Sequence, residues 1–218
     1  MKYNIPRVKQ TDETSCASAN YTMVANALGL HYSLEDILKI TKSEIGFAPF
    51  WRFLVEKNNI EIIDFSENNL KTWAEEGFDD FRQGTDEKVV SFLKNRIANP
   101  DNYQEDLKFL FKSEKFEFCH QRPNVDLLKD FFRKEYVCDV MIDPWWIYGE
   151  EPPRYSLHRI FIVDINGDEI VFHDPAFDGE EFYKSNTANF EKGFQIDGTE
   201  LTCYKRTNQK ARRQTDGA

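Results

Sequence analysis

Gln10 stands six residues before Cys16 in the opening stretch IPRVKQTDETSCASANYTMVANALG. A thiol that performs acyl transfer needs a donor for the oxyanion and a means of becoming a thiolate. A glutamine at this spacing can bring its amide N–H beside the sulfur, where negative charge develops on an attacked carbonyl oxygen. From Ala17 onward the pattern predicts a helix, with Ala19, Met23, Val24, Ala27 and Leu28 on one stripe and Gly29 as its stop. Cys16 then falls in the first turn, where the positive end of the helix dipole lowers a thiol pKa. A buried structural cysteine opening a core helix has the same local pattern, so the rest of the chemistry has to come from elsewhere in the chain.

It comes from SLHRIFIVDINGDEIVFHDPAF. Asn166-Gly167 between two apolar, β-branched runs predicts a hairpin. A two-residue loop at Asn166-Gly167 would pair Ile165 with Asp168 and point His158 and Asp174 to opposite faces. A three-residue loop with Gly167 left-handed would pair Asp164 with Asp168 and set His158 directly opposite Asp174. The second arrangement is the expected one. It puts His158, Ile160, Ile162, Ile170, Phe172 and Asp174 on one face, and Arg159, Phe161, Val163, Val171 and His173 on the other. The face of His158 is expected to pack toward the helix that begins at Cys16. A carboxylate beside an imidazole fixes its tautomer and stabilises the imidazolium formed when the ring takes a proton from a thiol.

With these residues in place the chain resembles the papain-like cysteine peptidases, and among them the double-glycine-leader (bacteriocin-processing) peptidases and their stand-alone C39-like relatives. That group has Gln-x5-Cys-Gly-Pro-Ala around the thiol, then Gly-His, an apolar strand and a later Asp-Pro. Gln10, Cys16, His158 and Asp174-Pro175 match those positions, over about the first thirty and roughly the last ninety residues. The resemblance implies Cys16 as nucleophile, His158 as general base, Asp174 as the residue that orients it and Gln10 as oxyanion donor. It also implies an α+β papain-like fold, in which an N-terminal helix packs on a C-terminal antiparallel sheet. Two positions depart from the pattern: Ala17-Ser18 replaces Gly-Pro, and Leu157 replaces the glycine before the base. Ala17 keeps its backbone N–H, whereas Leu157 is bulky enough to narrow the cleft. A triad of this kind serves a peptidase if water resolves the acyl-enzyme, and a transpeptidase or ligase if an amine does. An inactive papain-like binding module is the alternative.

The 218 residues suit one domain, expected over 1–206, with a helical insertion at about 40–120 and a disordered basic tail over 207–218. The opening MKYNIPRVKQ has no apolar h-region, so no secretory leader is expected, nor is any run long enough to span a membrane. Cys16, Cys119, Cys138 and Cys203 lack a disulfide or zinc spacing, so a cytoplasmic protein with free thiols and no metal or cofactor is expected. The tail from Lys205 carries five positive charges against Asp216, a balance of +4, which leaves −14 on the remainder of a chain at −10. An acidic body of this kind disfavours nucleic acid and anionic membranes and favours basic or neutral peptides or other amide substrates.

The middle of the chain reads as largely helical. Helices are expected from Ser33 to about Ile40, Phe47 to Lys57, Thr85 to Ala98, Asp101 to about Ser113, and Asn124 to about Lys134. Asn99-Pro100 reads as a stop. Strands are expected at 60–65, 137–142 and 200–206. The loop DPWWIYGEEPPRYS precedes His158, and its Trp145, Trp146, Tyr148 and Tyr155 are candidates for a wall that grips substrate. A lid packed on its own core is the competing reading.

Overall fold

The computed structural model describes residues 1–12, 15–41, 47–94, 96–97, 99–176 and 180–207; the expected disordered tail lies almost wholly outside them. They form a mixed α+β structure. Its strands are β1 (Ile60–Ser66), β2 (Phe116–His120), β3 (Val137–Ile142), β4 (His158–Asn166), β5 (Glu169–His173), β6 (Tyr183–Asn186) and β7 (Glu200–Arg206). One sheet holds them in the order β2-β1-β7-β3-β4-β5-β6, with β1 and β2 parallel and the other neighbours antiparallel. The expected helical insertion is therefore not helical throughout. Its two strands extend the same sheet, because IEIIDFS is apolar on both faces and can only be satisfied inside it.

Helices cover both faces. On one side lie α1 (Cys16–Ala27), α2 (Leu34–Thr41), α3 (Phe47–Asn58), α4 (Leu70–Glu76), α5 (Phe78–Gln83), α6 (Glu87–Lys94) and α7 (Pro100–Phe111). On the other lie α8 (Val125–Arg133), α9 (Pro144–Ile147) and α10 (Thr187–Gly193). Caps set several boundaries. The Ser33 hydroxyl accepts from the Asp36 N–H, and the Asp36 carboxylate accepts from the Ser33 N–H in return. Asn99 caps α7 with Pro100 in the first turn, so this dipeptide starts a helix rather than stopping the one before it, which already ends at Lys94. Helix α1 ends at Gly29 (φ 75°), whose N–H donates to Asn26 O while Leu30 N–H donates to Ala25 O. Its predicted single stripe is corrected: Ala17 to Ala25 are buried on every side, because α1 is enclosed between the sheet and the other helices. No helix among the described residues is long and apolar enough to cross a membrane.

The β4–β5 hairpin corrects the expected register. Asn166 pairs with Glu169, so the loop is the two residues Gly167-Asp168, with Gly167 at φ 65° in the first central position that a type II′ turn reserves for glycine. Such a loop in a regular ladder would turn Asp174 away from His158. A bulge between Ile162 and Asp164 gives β4 one extra residue, Val163, and shifts the parity back. The bulge thus does the work expected of a longer turn. His158 is not directly opposite Asp174. His173 pairs with Phe161, so Asp174 lies diagonally across from His158.

The two faces divide as expected, but their orientation is reversed. Ile160, Ile162, Ile170 and Phe172 pack with α8, α9 and α10, whereas Phe161, Val163 and Val171 pack with α1. The face toward α1 also carries polar groups that the apolar patterning hides. Arg159, 2% exposed, donates to Asp139 Oδ1 (3.0 Å) and to Glu200. Asp139 also accepts from Asn20 Nδ2 of α1 (2.6 Å), and Thr202 donates to Asp64 (2.8 Å). Four strands and α1 are joined by this network. Arg159→Met keeps the volume but leaves two buried carboxylates without their cation. It should cost about 3–5 kcal/mol of stability in urea denaturation, and a loss below about 1 kcal/mol would show the network to be dispensable.

Candidate active site

Cys16 is the first residue of α1 and His158 the first of β4, so they meet around the end of the sheet rather than through its face. Ser15 closes the loop before the helix: its Oγ accepts from the N–H groups of Thr11 (2.9 Å) and Asp12 (3.1 Å). The N–H of Gln10 donates to Pro175 O (2.8 Å), which ties this loop to the residue after Asp174. The spacing of Gln10 and Cys16 is thus the length of one closed loop. Both side chains line the same cleft of about 520 Å³, together with His158, Asp174, Trp145 and Tyr148.

His158 stands between Cys16 and Asp174. Its Nε2 meets Asp174 Oδ1 at 2.6 Å, which leaves Nδ1 as the ring nitrogen for the neighbouring Cys16 thiol. Asp174 is held in turn by the Ala176 N–H (2.7 Å) and by the Tyr148 hydroxyl. Burial opposes the Cys16 thiolate, but the hydrogen bond and charge of His158, the Arg159 N–H and the Arg159 guanidinium outweigh it and hold the thiol below its ordinary value. Burial also opposes the charge on His158, yet its bonds to Asp174 and Cys16 raise it to about 10. Asp174 is kept below the usual carboxylate range: burial resists, but His158, Tyr148 and the Ala176 N–H prevail. Burial, with Asp174 alongside, raises Tyr148, which stays a neutral donor. The set favours a thiolate–imidazolium pair braced by a carboxylate.

Gln10, 9% exposed, donates an amide N–H to Asp12 O (2.9 Å) and lines the cleft. The backbone N–H of Cys16 lies in the first helical turn, where amides have no intrahelical partner. The aromatic loop behaves in part as expected. Asp143 caps α9, accepting from Trp145 N–H (3.0 Å), and Ile147 anchors it in the core. Trp145 and Tyr148 consequently face the cleft. Trp146 does not: its ring lies 4.8 Å from Lys192 Nζ of α10, because neighbours on a helical turn point in different directions. Tyr155 lines an adjoining groove, its hydroxyl donating to Asp197 O (2.9 Å). Leu157 lines the cleft beside His158, as its bulk suggests.

Two contributors escape a reading of the sequence. Tyr148 supports Asp174 as well as walling the cleft, and Arg159 acts on the thiol through its N–H and its guanidinium. Arg159 did carry a signal: one arginine in an apolar strand, with lone acids in the apolar strands VCDVMI and ELTCYKR. His173 takes no part, its Nε2 meeting Ile5 O (3.0 Å) and its ring lying against Phe161. Among the described residues no three His, Cys, Asp or Glu side chains converge as a metal site. No family model matches this chain, and no curated protein matches it.

A lowered thiol pKa means that thiolate persists at pH values where an ordinary cysteine is protonated. Alkylation of Cys16 by iodoacetamide should therefore stay fast below pH 8, the other three thiols remaining slow. In His158→Ala the burial of the thiol loses its main opponent, and the alkylation profile should move to more alkaline pH. An unchanged profile in that variant would remove His158 as the partner of the thiol.

Proposed function

We propose that the protein is a thiol acyl-transfer enzyme of the papain-like kind, resembling the double-glycine-leader peptidases, that cleaves or transfers an amide bond. The observation that carries this reading is the chain Cys16–His158–Asp174 opening on a cleft that also holds Gln10. In the reaction Cys16 Sγ attacks the amide carbonyl and the developing oxyanion accepts from Gln10 Nε2 and the Cys16 N–H. The His158 imidazolium passes its proton to the leaving amine, and the C–N bond breaks to give a thioester. Neutral His158 then takes a proton from water, or from an acceptor amine, as that group attacks the thioester and releases Cys16. Asp174 stabilises the imidazolium at each stage and holds the ring in the productive tautomer.

No step calls for a metal or cofactor, and the four free thiols suit a reducing cytoplasm. The acidic body argues against nucleic-acid partners.

An electrophilic peptide probe should modify Cys16, and mapping of the adduct identifies the residue. Cys16→Ala should lose both labelling and turnover of any accepted peptide while keeping the wild-type melting transition; turnover by this variant would remove the mechanism. Gln10→Ala should keep the thiol reactive toward iodoacetamide, because the thiolate depends on His158. It should slow turnover by about 10²–10³ in kcat, the usual cost of one oxyanion donor. A wild-type rate in Gln10→Ala would assign the oxyanion to other groups.

A further inference from the structure

The cleft at Cys16 does not end at Leu157. A second groove of about 590 Å³ adjoins it, and the two share Phe92, Arg96, Arg154, Ser156 and Leu157 along their common border. The outer groove adds Lys88 and Tyr155, and its lining contains one carboxylate, Glu87, against three cations. In the inner cleft the carboxylate of Asp174 is committed to His158, Tyr148 and Ala176. This excess of positive charge among the lining residues runs against a chain with 38 acids and 28 bases, although Asp86 and Asp197 lie close behind Tyr155.

The two arginines also have no carboxylate partner among the described residues, a state they share with Arg7, Arg133 and Arg206 but not with Arg52, Arg82, Arg122 and Arg159. Arg96 lies on the Phe92 ring (3.9 Å) with Nη1 donating to Phe92 O (3.3 Å). Arg154 has neither a hydrogen bond nor an ion pair among the described residues. A guanidinium presents its donors in a planar fork that matches a carboxylate. We propose that this double groove binds a carboxylate carried by the substrate of Cys16, borne by an acidic side chain or by a free chain end. The inference rests on the acyl-transfer reading above and names its substrate class. It reverses, at the site itself, the preference for basic or neutral peptides that net charge alone implies.

The test uses peptidyl vinyl sulfones, which add to a thiol, and reads the rate of Cys16 modification. One set carries Glu, Gln or Lys at each position in turn with an amidated end. A second set has no acids and ends in a free carboxylate or a carboxamide. At one position Glu should outpace Gln by about tenfold, or the free acid should outpace its amide by about tenfold, as expected of a partly exposed charged hydrogen bond. The first result assigns the carboxylate to a side chain and the second to a chain end. Arg154→Gln and Arg96→Gln should each lower that ratio toward one, and added salt should lower it in the wild type. Iodoacetamide should modify Cys16 equally fast in all three proteins. Equal rates across both sets, a preference for Lys, or no sulfone labelling while iodoacetamide still reacts would overturn the proposal. Failure of both reagents at Cys16 would instead remove the acyl-transfer reading beneath it.

Discussion

The structure is organised around a charge that cannot leave the interior. Arg159 sits in the centre of the sheet with Asp139 and Glu200, and removing such ions from water costs several kcal/mol apiece unless partners surround them. Burial raises Asp139 and Glu200, and Arg159 opposes that rise in both. The result is a small set of mutually dependent positions. Asn20, one helical turn beyond Cys16, donates to Asp139, so the start of α1 is fixed to β3. The guanidinium belongs to the residue next to His158, and the backbone N–H of that same residue also favours the Cys16 thiolate. The thiol, the imidazole and the buried cation are therefore placed by one piece of chain.

Support for the second half of the site comes from the opposite direction. Asp174 follows β5 and is fixed by a tyrosine from the α9 turn and by a backbone amide two residues on. The Gln10 loop is pinned to Pro175 from outside the sheet. Each polar group in the Cys16–His158–Asp174 chain has at least one partner whose own position is set by secondary structure rather than by loop packing. Such bracing holds the three side chains in one arrangement.

Much of this was legible in the residues, and the exceptions have physical causes. Strands β1, β3 and β7 and helices α2, α3 and α8 stand out because they are long or strongly patterned, and β3 is buried over its whole length. Strands β2 and β6 do not, because they are the edges of the sheet and their half-exposed residues alternate weakly. Short α4 and α5 fall below the length at which periodicity is visible. His158 and Asp174 were assigned to one face by the wrong device: side-chain parity depends on loop length and bulges together, and the sequence Ile162-Val163-Asp164 carries no mark of a bulge. The orientation of that face was missed because both faces are apolar, so patterning could not say which one meets α1. The Gln10–Cys16 pair was legible because a short closed loop leaves little freedom between its ends.

Strand β7 lies between β1 and β3, in the middle of the sheet, although it is the last of the described strands in chain order. Its register joins residue 60 to residue 206 and residue 137 to residue 204. The β1–β2 pair and the β3–β6 run are joined through β7, so each has an unpaired edge until that strand arrives. Glu200 arrives with this strand, so Arg159 waits for its second anion until then. Contacts of such sequence separation carry a large loop-closure penalty and slow the search for the native state. Cys16 and α1 thus precede, by most of the described residues, the strand that closes the sheet behind them, and the two waiting edges are where mispairing would begin.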